Sequence, residues 1–245
     1  MKEMKFTALL TSEIEKCIKI EESDGVMKRI PTKISNANNL LDNIKKYLKG
    51  KTRVVLITTL PNDFEANDEI GARLFKSLNL SGLRFKEKIV LDYRNLKEAK
   101  EILAGADLIW LSGGKIIPRL KFLNKIHFKK ILNHFEGVII GVSAGSMNLC
   151  KNICNFPEGT QDLGQKELIK GLDFYDEYFI PHSDGSYYLY EEDGYPVFKK
   201  HIYPFSFKRD LICVPNDSYI LLNKDGAKYY GDIYLLRKGE IYKKV

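Results

Sequence analysis

Short apolar runs alternate along the chain with longer segments in which apolar residues recur at helical spacing. The predicted strands are residues 5–10, 53–59, 88–91, 108–111 and 138–141, and the predicted helices cover about 35–49, 66–78, 96–104 and 128–135. A repeated strand–helix–strand order of this kind is typical of a parallel sheet.

Three of these runs, VVLITT, LIWLS and VIIGV, are almost wholly apolar instead of alternating between apolar and polar residues. Strands with that composition are covered by helices on both faces of the sheet. The pattern therefore predicts an α/β fold with a three-layer, doubly wound and mainly parallel sheet. In the last quarter of the chain the runs are short, rich in tyrosine and separated by glycine, which predicts short antiparallel edge strands at the C-terminus.

Length and composition narrow the class of protein. The 245 residues suffice for one large domain, and no linker-like segment divides residues 1–245. The net charge of +7 comes mainly from scattered lysines, without the dense basic block of a nucleic-acid-binding protein. The four cysteines form no C-x-x-C pair and no histidine lies at ligand spacing, so neither a disulfide framework nor a zinc site is indicated.

Targeting and membrane segments are also not apparent. No apolar stretch approaches the ~20 residues that a helix needs to span a bilayer, and the N-terminal apolar run is too short for a secretion signal. We expect a cytoplasmic protein that binds neither membranes nor nucleic acid and uses no metal or organic cofactor.

Residues 138–148 read VIIGVSAGSMN, an apolar run that stops at Gly141 and gives way to a helix-like stretch after Ser143. A serine hydroxyl is a weak nucleophile that has to be held exposed at a sharp strand-to-helix turn. Small residues such as Gly141, Ala144 and Gly145 leave room for such a turn. A helix that begins there would also direct free backbone amides at an oxyanion. Ser143 is therefore the candidate nucleophile.

A serine nucleophile needs a base, and the chain contains four histidines. His127 and His134 lie on the helix that leads into the nucleophile strand, where a surface or structural role is expected. His182 follows an apolar run and a proline, in a loop at the carboxyl edge of the sheet, where ligand groups collect in folds of this class. His182 is therefore the candidate base, and His201 is the fallback.

The base in turn needs an acid that fixes its tautomer. The carboxylates between Ser143 and His182 are Glu158, Asp162, Glu167, Asp173, Asp176 and Glu177. Glu158 lies in the sequence NFPEG, where proline and glycine force a turn soon after the nucleophile helix, and this mildly favours it. The residues alone do not decide among the six.

The positions of these residues resemble the pattern of peptidase family S51, which includes aspartyl dipeptidases and the related cyanophycinases. The family has a glycine pair after a strand, matched by Gly113 and Gly114, and then a strand that ends in G-x-S-A-G, matched by residues 141–145. In the family an acid follows the serine at a distance that corresponds to Glu158, and the histidine comes later, at His182. The resemblance extends along most of the chain and implies a class I glutamine amidotransferase-like fold.

The resemblance also implies roles for these residues. Ser143 would attack the scissile carbonyl, His182 would take and return its proton, and Glu158 would orient His182. The backbone amides of Gly114 and Ala144 would hold the oxyanion. The expected substrate is a small peptide.

Two positions depart from the pattern of aspartyl dipeptidases. Lys115 follows the glycine pair where those enzymes have asparagine, and Ser183 follows His182 in place of the usual aromatic residue. Both changes touch expected substrate contacts, and Gly113 either assists the oxyanion amides or only permits the turn. The cations that could bind an acidic side chain or a terminal carboxylate are Lys115, Arg119, Lys208 and Arg209.

The first hypothesis is accordingly a cytosolic serine peptidase of the dipeptidase kind, with an acidic N-terminal residue as one substrate preference. An α/β-hydrolase esterase shares the G-x-S-x-G motif but normally has its histidine near the C-terminus, and no histidine follows His201. A glutamine amidotransferase would need a cysteine in place of Ser143. A binding or regulatory protein without turnover is the non-catalytic alternative, suggested by Lys115. The oligomeric state stays open, with a homodimer among the alternatives.

Overall fold

The computed structural model describes residues 4–14, 18–23, 26–157, 166–183 and 197–244. Its strands are β1 (Thr7–Thr11), β2 (Ile18–Ser23), β3 (Val26–Pro31), β4 (Arg53–Ile57), β5 (Glu87–Val90), β6 (Leu108–Leu111), β7 (Val138–Val142), β8 (Asn152–Cys154), β9 (Leu168–Lys170), β10 (Tyr178–Pro181), β11 (Leu211–Val214), β12 (Tyr219–Asn223), β13 (Gly226–Tyr230), β14 (Tyr234–Arg237) and β15 (Glu240–Lys243). Its α-helices are α1 (Leu40–Tyr47), α2 (Phe64–Leu80), α3 (Ala99–Ala104), α4 (Ile116–Lys125), α5 (Phe128–Leu132), α6 (Ala144–Leu149) and α7 (Tyr203–Ser206). Short 3-10 helices cover Ala37–Asn39 and Tyr93–Glu98, and a π-helical turn covers Phe198–Ile202.

The central sheet has the strand order β13-β12-β1-β7-β6-β4-β5. The strands β1, β7, β6, β4 and β5 are parallel to one another, whereas β12 and β13 add antiparallel at one edge. Gly141 near the end of β7 pairs with Leu10 of β1 and with Leu111 of β6. The carboxyl ends of these three strands therefore meet at one edge of the sheet, which is the usual location of ligand groups in such folds.

Alternate positions along the strands fill two hydrophobic cores, one on each face of the central sheet. In β7, Ile139 lies in the core that α3, α4, α5 and α6 cover, whereas Val138 and Ile140 lie in the core that α1 and α2 cover. All three side chains are fully buried. The predicted three-layer, doubly wound and mainly parallel α/β fold is thus confirmed.

The last quarter of the chain divides between two sheets. As predicted, β12 and β13 form an antiparallel edge, but β11, β14 and β15 join β10 in a separate sheet of order β10-β11-β14-β15. This sheet packs its own small core around Ile180, Cys213 and Leu236. Because β10 and β11 are parallel, their carboxyl ends lie side by side.

Helices α4 and α7 have no counterpart in the sequence prediction. Helix α4 begins at Ile116, two residues after the glycine pair, and contains Pro118 in its first turn. Proline is tolerated there because the first amides of a helix have no intrahelical acceptor.

The longest described helix, α2, has 17 residues. None of the helices in the described ranges is both long enough and apolar enough to cross a membrane.

Candidate active site

Ser143 occupies a strained turn between β7 and α6. Its φ of 50° and ψ of −113° belong to a conformation that a non-glycine residue adopts only when its surroundings hold it there. Its amide donates a hydrogen bond of 2.8 Å to the Thr11 carbonyl. Gly145 allows α6 to cross β6, since a Cβ at this position would lie 2.2 Å from the Leu111 carbonyl oxygen. The structure thus places Ser143 on a strand-to-helix elbow.

Side chains of β1 and α6 stabilise this elbow through hydrogen bonds to its backbone. Thr11 Oγ1 donates to the Gly141 carbonyl at 2.9 Å. Ser146 Oγ lies 2.7 Å from the Thr11 carbonyl and 2.8 Å from the Gly141 carbonyl. Thr11 and Ser146 are buried, so these bonds satisfy backbone groups that water does not reach. Of the two serines in the motif, Ser146 therefore has a structural role.

His182 lies directly after β10 and reaches across to Ser143. Its Nε2 is 2.8 Å from Ser143 Oγ, within hydrogen-bond distance. Its backbone also has a positive φ, 56°, so both side chains of this pair project from strained positions. The sequence places the two residues 39 positions apart, and the structure brings them into contact.

Asn216 is a site residue that the sequence analysis missed. Its Oδ1 lies 3.0 Å from His182 Nδ1, on the side of the imidazole ring away from Ser143. Asn216 belongs to a turn after β11, closed by a hydrogen bond from the Ser218 amide to the Pro215 carbonyl. Asn216 is neither a carboxylate nor located between Ser143 and His182, as the six candidate acids are. The polar turn after the buried run LICV was the signal that could have found it.

Ser12 connects the two sheets at this point. It follows β1 of the central sheet, and its hydroxyl donates to the carbonyl of Val214, the last residue of β11. The same hydroxyl oxygen accepts a hydrogen bond of 3.2 Å from the His182 amide. Since Ser12 is fully buried, these contacts fix the backbone of His182 relative to β1.

The predicted acid Glu158 lies outside the described residues, as does Asp162. The other four candidates have different partners: Glu167 contacts His201, Asp173 contacts Lys129, Asp176 contacts Lys151, and Glu177 accepts hydrogen bonds from Tyr175, Tyr229 and Lys244. The hydrogen bond from Lys129 lowers the pKa of Asp173, which keeps that carboxylate charged in its pair. Each of these four carboxylates thus has a partner of its own elsewhere in the described structure.

The loop between β6 and α4 lies against the elbow. A methyl group on Gly113 would lie 3.8 Å from Ser143 Cβ. Gly114 has a φ of 108°, and a Cβ there would lie only 2.9 Å from the side chain of Thr59. Thr59 Oγ1 also donates to the Lys115 carbonyl at 2.8 Å, which anchors the end of the loop. The predicted oxyanion residue Gly114 is therefore in a loop beside Ser143, and Ala144 begins α6 directly after it.

The candidate cations lie in different places. Lys115 is exposed at the start of α4, in the loop beside Ser143. Arg119 is fully buried in the same helix. Arg209 precedes β11 and donates to the Tyr178 hydroxyl at 3.3 Å, at the end of that strand opposite Asn216. The structure therefore brings Lys115 to the site and does not bring Arg209 there.

Two of the cysteines, Cys150 and Cys154, are buried. Burial raises the pKa of the Cys150 and Cys154 thiols, which keeps both protonated at neutral pH. Within the part of the chain that the structure describes, no three histidine, cysteine, aspartate or glutamate side chains are grouped as metal ligands would be.

The solved structures that are similar to this chain include two peptidases. A peptidase from an acI-B1 Actinobacterium matches with a TM-score of 0.68 and 16% sequence identity, over 99% of this chain and 95% of that one. A putative peptidase E from Listeria monocytogenes EGD-e matches with a TM-score of 0.54 and 17% identity, over 95% and 98% of the two chains. At these identities the similarity establishes the fold.

The sequence itself gives the family. No curated protein sequence matches the chain, but residues 32–229 match the family model of peptidase family S51. The match covers most of the chain, including the elbow, the glycine loop, His182 and Asn216. It favours a peptidase over the α/β-hydrolase esterase that the motif alone allowed. The chain therefore belongs to peptidase family S51 and is a peptidase of the hydrolase class.

Proposed function

We propose that this protein is a serine peptidase of short peptides, dipeptidase-like, in which Ser143 is the nucleophile and His182 the general base. The observation that carries the proposal is the contact of 2.8 Å between Ser143 Oγ and His182 Nε2. A nucleophile and base within hydrogen-bond distance, with the base held by a third residue, are the signature of covalent catalysis by serine. Membership of family S51 supports this assignment.

In the acylation step, His182 Nε2 accepts the Ser143 hydroxyl proton as Oγ forms a bond to the scissile carbonyl carbon. The carbonyl electron pair moves onto the oxygen and gives a tetrahedral oxyanion. When this intermediate collapses, the C–N bond breaks and the protonated His182 gives its proton to the leaving amine. A water molecule, deprotonated by His182, then hydrolyses the acyl-enzyme and restores the Ser143 hydroxyl.

This sequence of steps requires one tautomer of His182. Nε2 has to be free to accept a proton, so the hydrogen of the neutral ring has to be on Nδ1. Asn216 Oδ1, 3.0 Å away, is an acceptor for that hydrogen. Asn216 is therefore the residue that we assign to orienting His182. The family resemblance implies the same orienting role for Glu158, and that role stays a prediction.

The loop between β6 and α4 supplies the second element of the proposed chemistry. Its glycine pair has no side chains that would block an approaching carbonyl, and Gly114 has a φ of 108°, a conformation that glycine adopts without the steric penalty of a Cβ. In the described part of the chain, the amides of Gly114 and Ala144 donate to no backbone carbonyl. Both are thus available to an oxyanion formed at Ser143.

Lys115 determines substrate preference in this proposal. It is an exposed cation in the loop beside Ser143, at the position where aspartyl dipeptidases have asparagine. A lysine there favours a substrate carboxylate, either an acidic side chain or the C-terminus of a dipeptide.

A dipeptide library with Asp-X, Glu-X and uncharged Xaa-X members tests the substrate class. We expect hydrolysis of dipeptides by the wild type and a preference for acidic members. In Lys115→Asn, the ratio of kcat/KM between acidic and uncharged dipeptides should fall about tenfold, the size of one charge-assisted hydrogen bond. Lys121→Asn, which removes an exposed lysine from the same helix, is the matched control. An unchanged ratio in Lys115→Asn would show that another residue sets the preference.

Substitution of Asn216 tests its proposed role. Asn216→Ala should lower kcat/KM on the order of 10²-fold, because the imidazole ring loses the acceptor that fixes its tautomer. Asn216→Asp should keep activity and move the acidic limb of the pH–rate profile to higher pH, since a carboxylate stabilises the protonated ring. Asp217→Asn, in the same turn, is the control. Full activity in Asn216→Ala together with a large loss in Glu158→Gln would transfer the orienting role to Glu158.

A further inference from the structure

Arg119 is a buried cation that has no carboxylate partner among the described residues. Its side chain is fully inaccessible to solvent, and burial lowers the pKa of the guanidinium to about 9. Nε donates to Asn148 Oδ1 at 2.7 Å and Nη1 donates to the Ser112 carbonyl, whereas Nη2 has no hydrogen-bond partner in the part of the chain that the structure describes. A buried charge that is neither paired nor fully hydrogen-bonded destabilises a protein. A leucine would fill such a position at lower cost.

The two partners of Arg119 lie on the two elements of the proposed active site. Asn148 belongs to α6, the helix that begins after Ser143, and Ser112 directly precedes the glycine pair. Asn148 Nδ2 also donates to the Ile116 carbonyl at 3.3 Å. The guanidinium therefore connects the nucleophile helix to the start of the glycine loop.

The glycine loop is consequently anchored at both ends. Arg119 holds the carbonyl of Ser112, and Thr59 holds the carbonyl of Lys115 at 2.8 Å. The amides of Gly113 and Gly114 lie between these two fixed carbonyls. Because peptide units are planar, fixing the carbonyl of Ser112 also fixes the direction of the Gly113 amide.

We propose that Arg119 is a positioning residue, which holds the glycine loop in a fixed position relative to the nucleophile helix so that the loop amides face Ser143. The proposal rests on the proposed serine peptidase function. Arginine suits this task because its planar guanidinium binds two acceptors in fixed directions at once, which a lysine ammonium does not. The buried charge lowers the stability of the fold, and in return it fixes the position of the loop amides relative to Ser143.

The test compares Arg119→Lys and Arg119→Gln with the wild type on a dipeptide that the wild type hydrolyses. We expect kcat to fall on the order of 10²-fold while KM changes less than about threefold, as when a catalytic group is displaced by about 1 Å. The affinity for a peptide boronate, which forms a tetrahedral anion on a reactive serine, should fall in parallel with kcat. Lys121→Gln, on the exposed face of the same helix, should leave all three quantities unchanged.

Chemical rescue separates positioning from general destabilisation. In Arg119→Ala, methylguanidinium at millimolar concentration should enter the vacated space and raise kcat at least tenfold above its value without additive. Methylammonium should raise kcat less. If the Arg119 variants do not fold, Asn148→Ala decides, because it removes one of the two bonds and leaves the arginine in place. The proposal would be overturned if folded Arg119→Gln had the kcat and the boronate affinity of the wild type. If no Arg119 variant folds, the same result in Asn148→Ala would overturn it.

The outcomes also distinguish this proposal from the proposed function. If the wild type hydrolyses no peptide and Ser143 reacts with no fluorophosphonate, the peptidase assignment fails. If the wild type is active, Ser143→Ala is inactive and Arg119→Gln has wild-type kcat, only the role of Arg119 fails.

Discussion

Ser143→Ala is expected to lower kcat for peptide hydrolysis by about 10⁶-fold while the protein stays folded. The variant removes the atom that forms the covalent bond, whereas the amides of Gly114 and Ala144 remain. Some turnover above the uncatalysed rate should therefore persist, since oxyanion amides and substrate binding act without the nucleophile. The measurement is single-substrate kinetics on a dipeptide of the library, together with fluorophosphonate labelling followed by mass spectrometry of the modified peptide.

Ser146→Ala is the matched control for this experiment. Ser146 belongs to the same motif, but its hydroxyl is buried and bonded to the carbonyls of Thr11 and Gly141. Its loss weakens the support of the elbow without removing the reacting atom, so activity should stay within about tenfold of the wild type. Labelling of Ser143→Ala at a second serine, or turnover above about 1% of the wild type, would contradict the assignment of the nucleophile.

Gly114→Ala is expected to lower kcat by about 10²- to 10³-fold, the loss that follows removal of one oxyanion donor. Two physical effects combine in this variant. An alanine at a φ of 108° is strained, and its Cβ would lie 2.9 Å from the side chain of Thr59. The loop has to shift to relieve both, and the shift turns the Gly114 amide away from the carbonyl bound at Ser143. KM for the dipeptide should change little, because the donor acts mainly in the transition state.

Gly82→Ala separates backbone strain from the effect on the site. Gly82 also has a positive φ, 79°, but nothing lies within 4 Å of the position that its Cβ would take. Both variants should lose about 1 kcal/mol of unfolding free energy from the strained backbone. Only Gly114→Ala should lose kcat. Equal kcat in the wild type and in Gly114→Ala would remove this amide from the proposed oxyanion site.

Hydrophobic patterning predicted the central sheet because its inner parallel strands are buried on both faces. Residues 108–111 were predicted and observed as one strand, and the strand predicted at 138–141 extends by one residue. The patterning failed at α4, where the glycine pair and Pro118 indicate a loop. The tertiary position of the loop, anchored by Thr59, allows the helix to begin there.

Site residues were also predictable where neighbouring residues position them, and not where distant strands do. Ser143 is recognisable from sequence because the elbow is built from neighbouring small residues. His182 is a candidate base from its place after a strand, and its Nε2 lies 2.8 Å from Ser143 Oγ. Asn216 was not predicted, because its approach to His182 depends on the parallel pairing of β10 with β11 across more than 30 residues of chain. No local pattern encodes that pairing.

The sheet that carries Ser143 is not the sheet that carries His182 and Asn216, and the buried hydroxyl of Ser12 joins the two. The two sheets also share a hydrophobic core, because Phe179, Ile212 and Val214 of the second sheet pack in the cluster that contains residues of β7. The distance between Ser143 and His182 therefore depends on the packing of this shared core. A large-to-small substitution in it should lower activity and melting temperature together, because both depend on the same contacts.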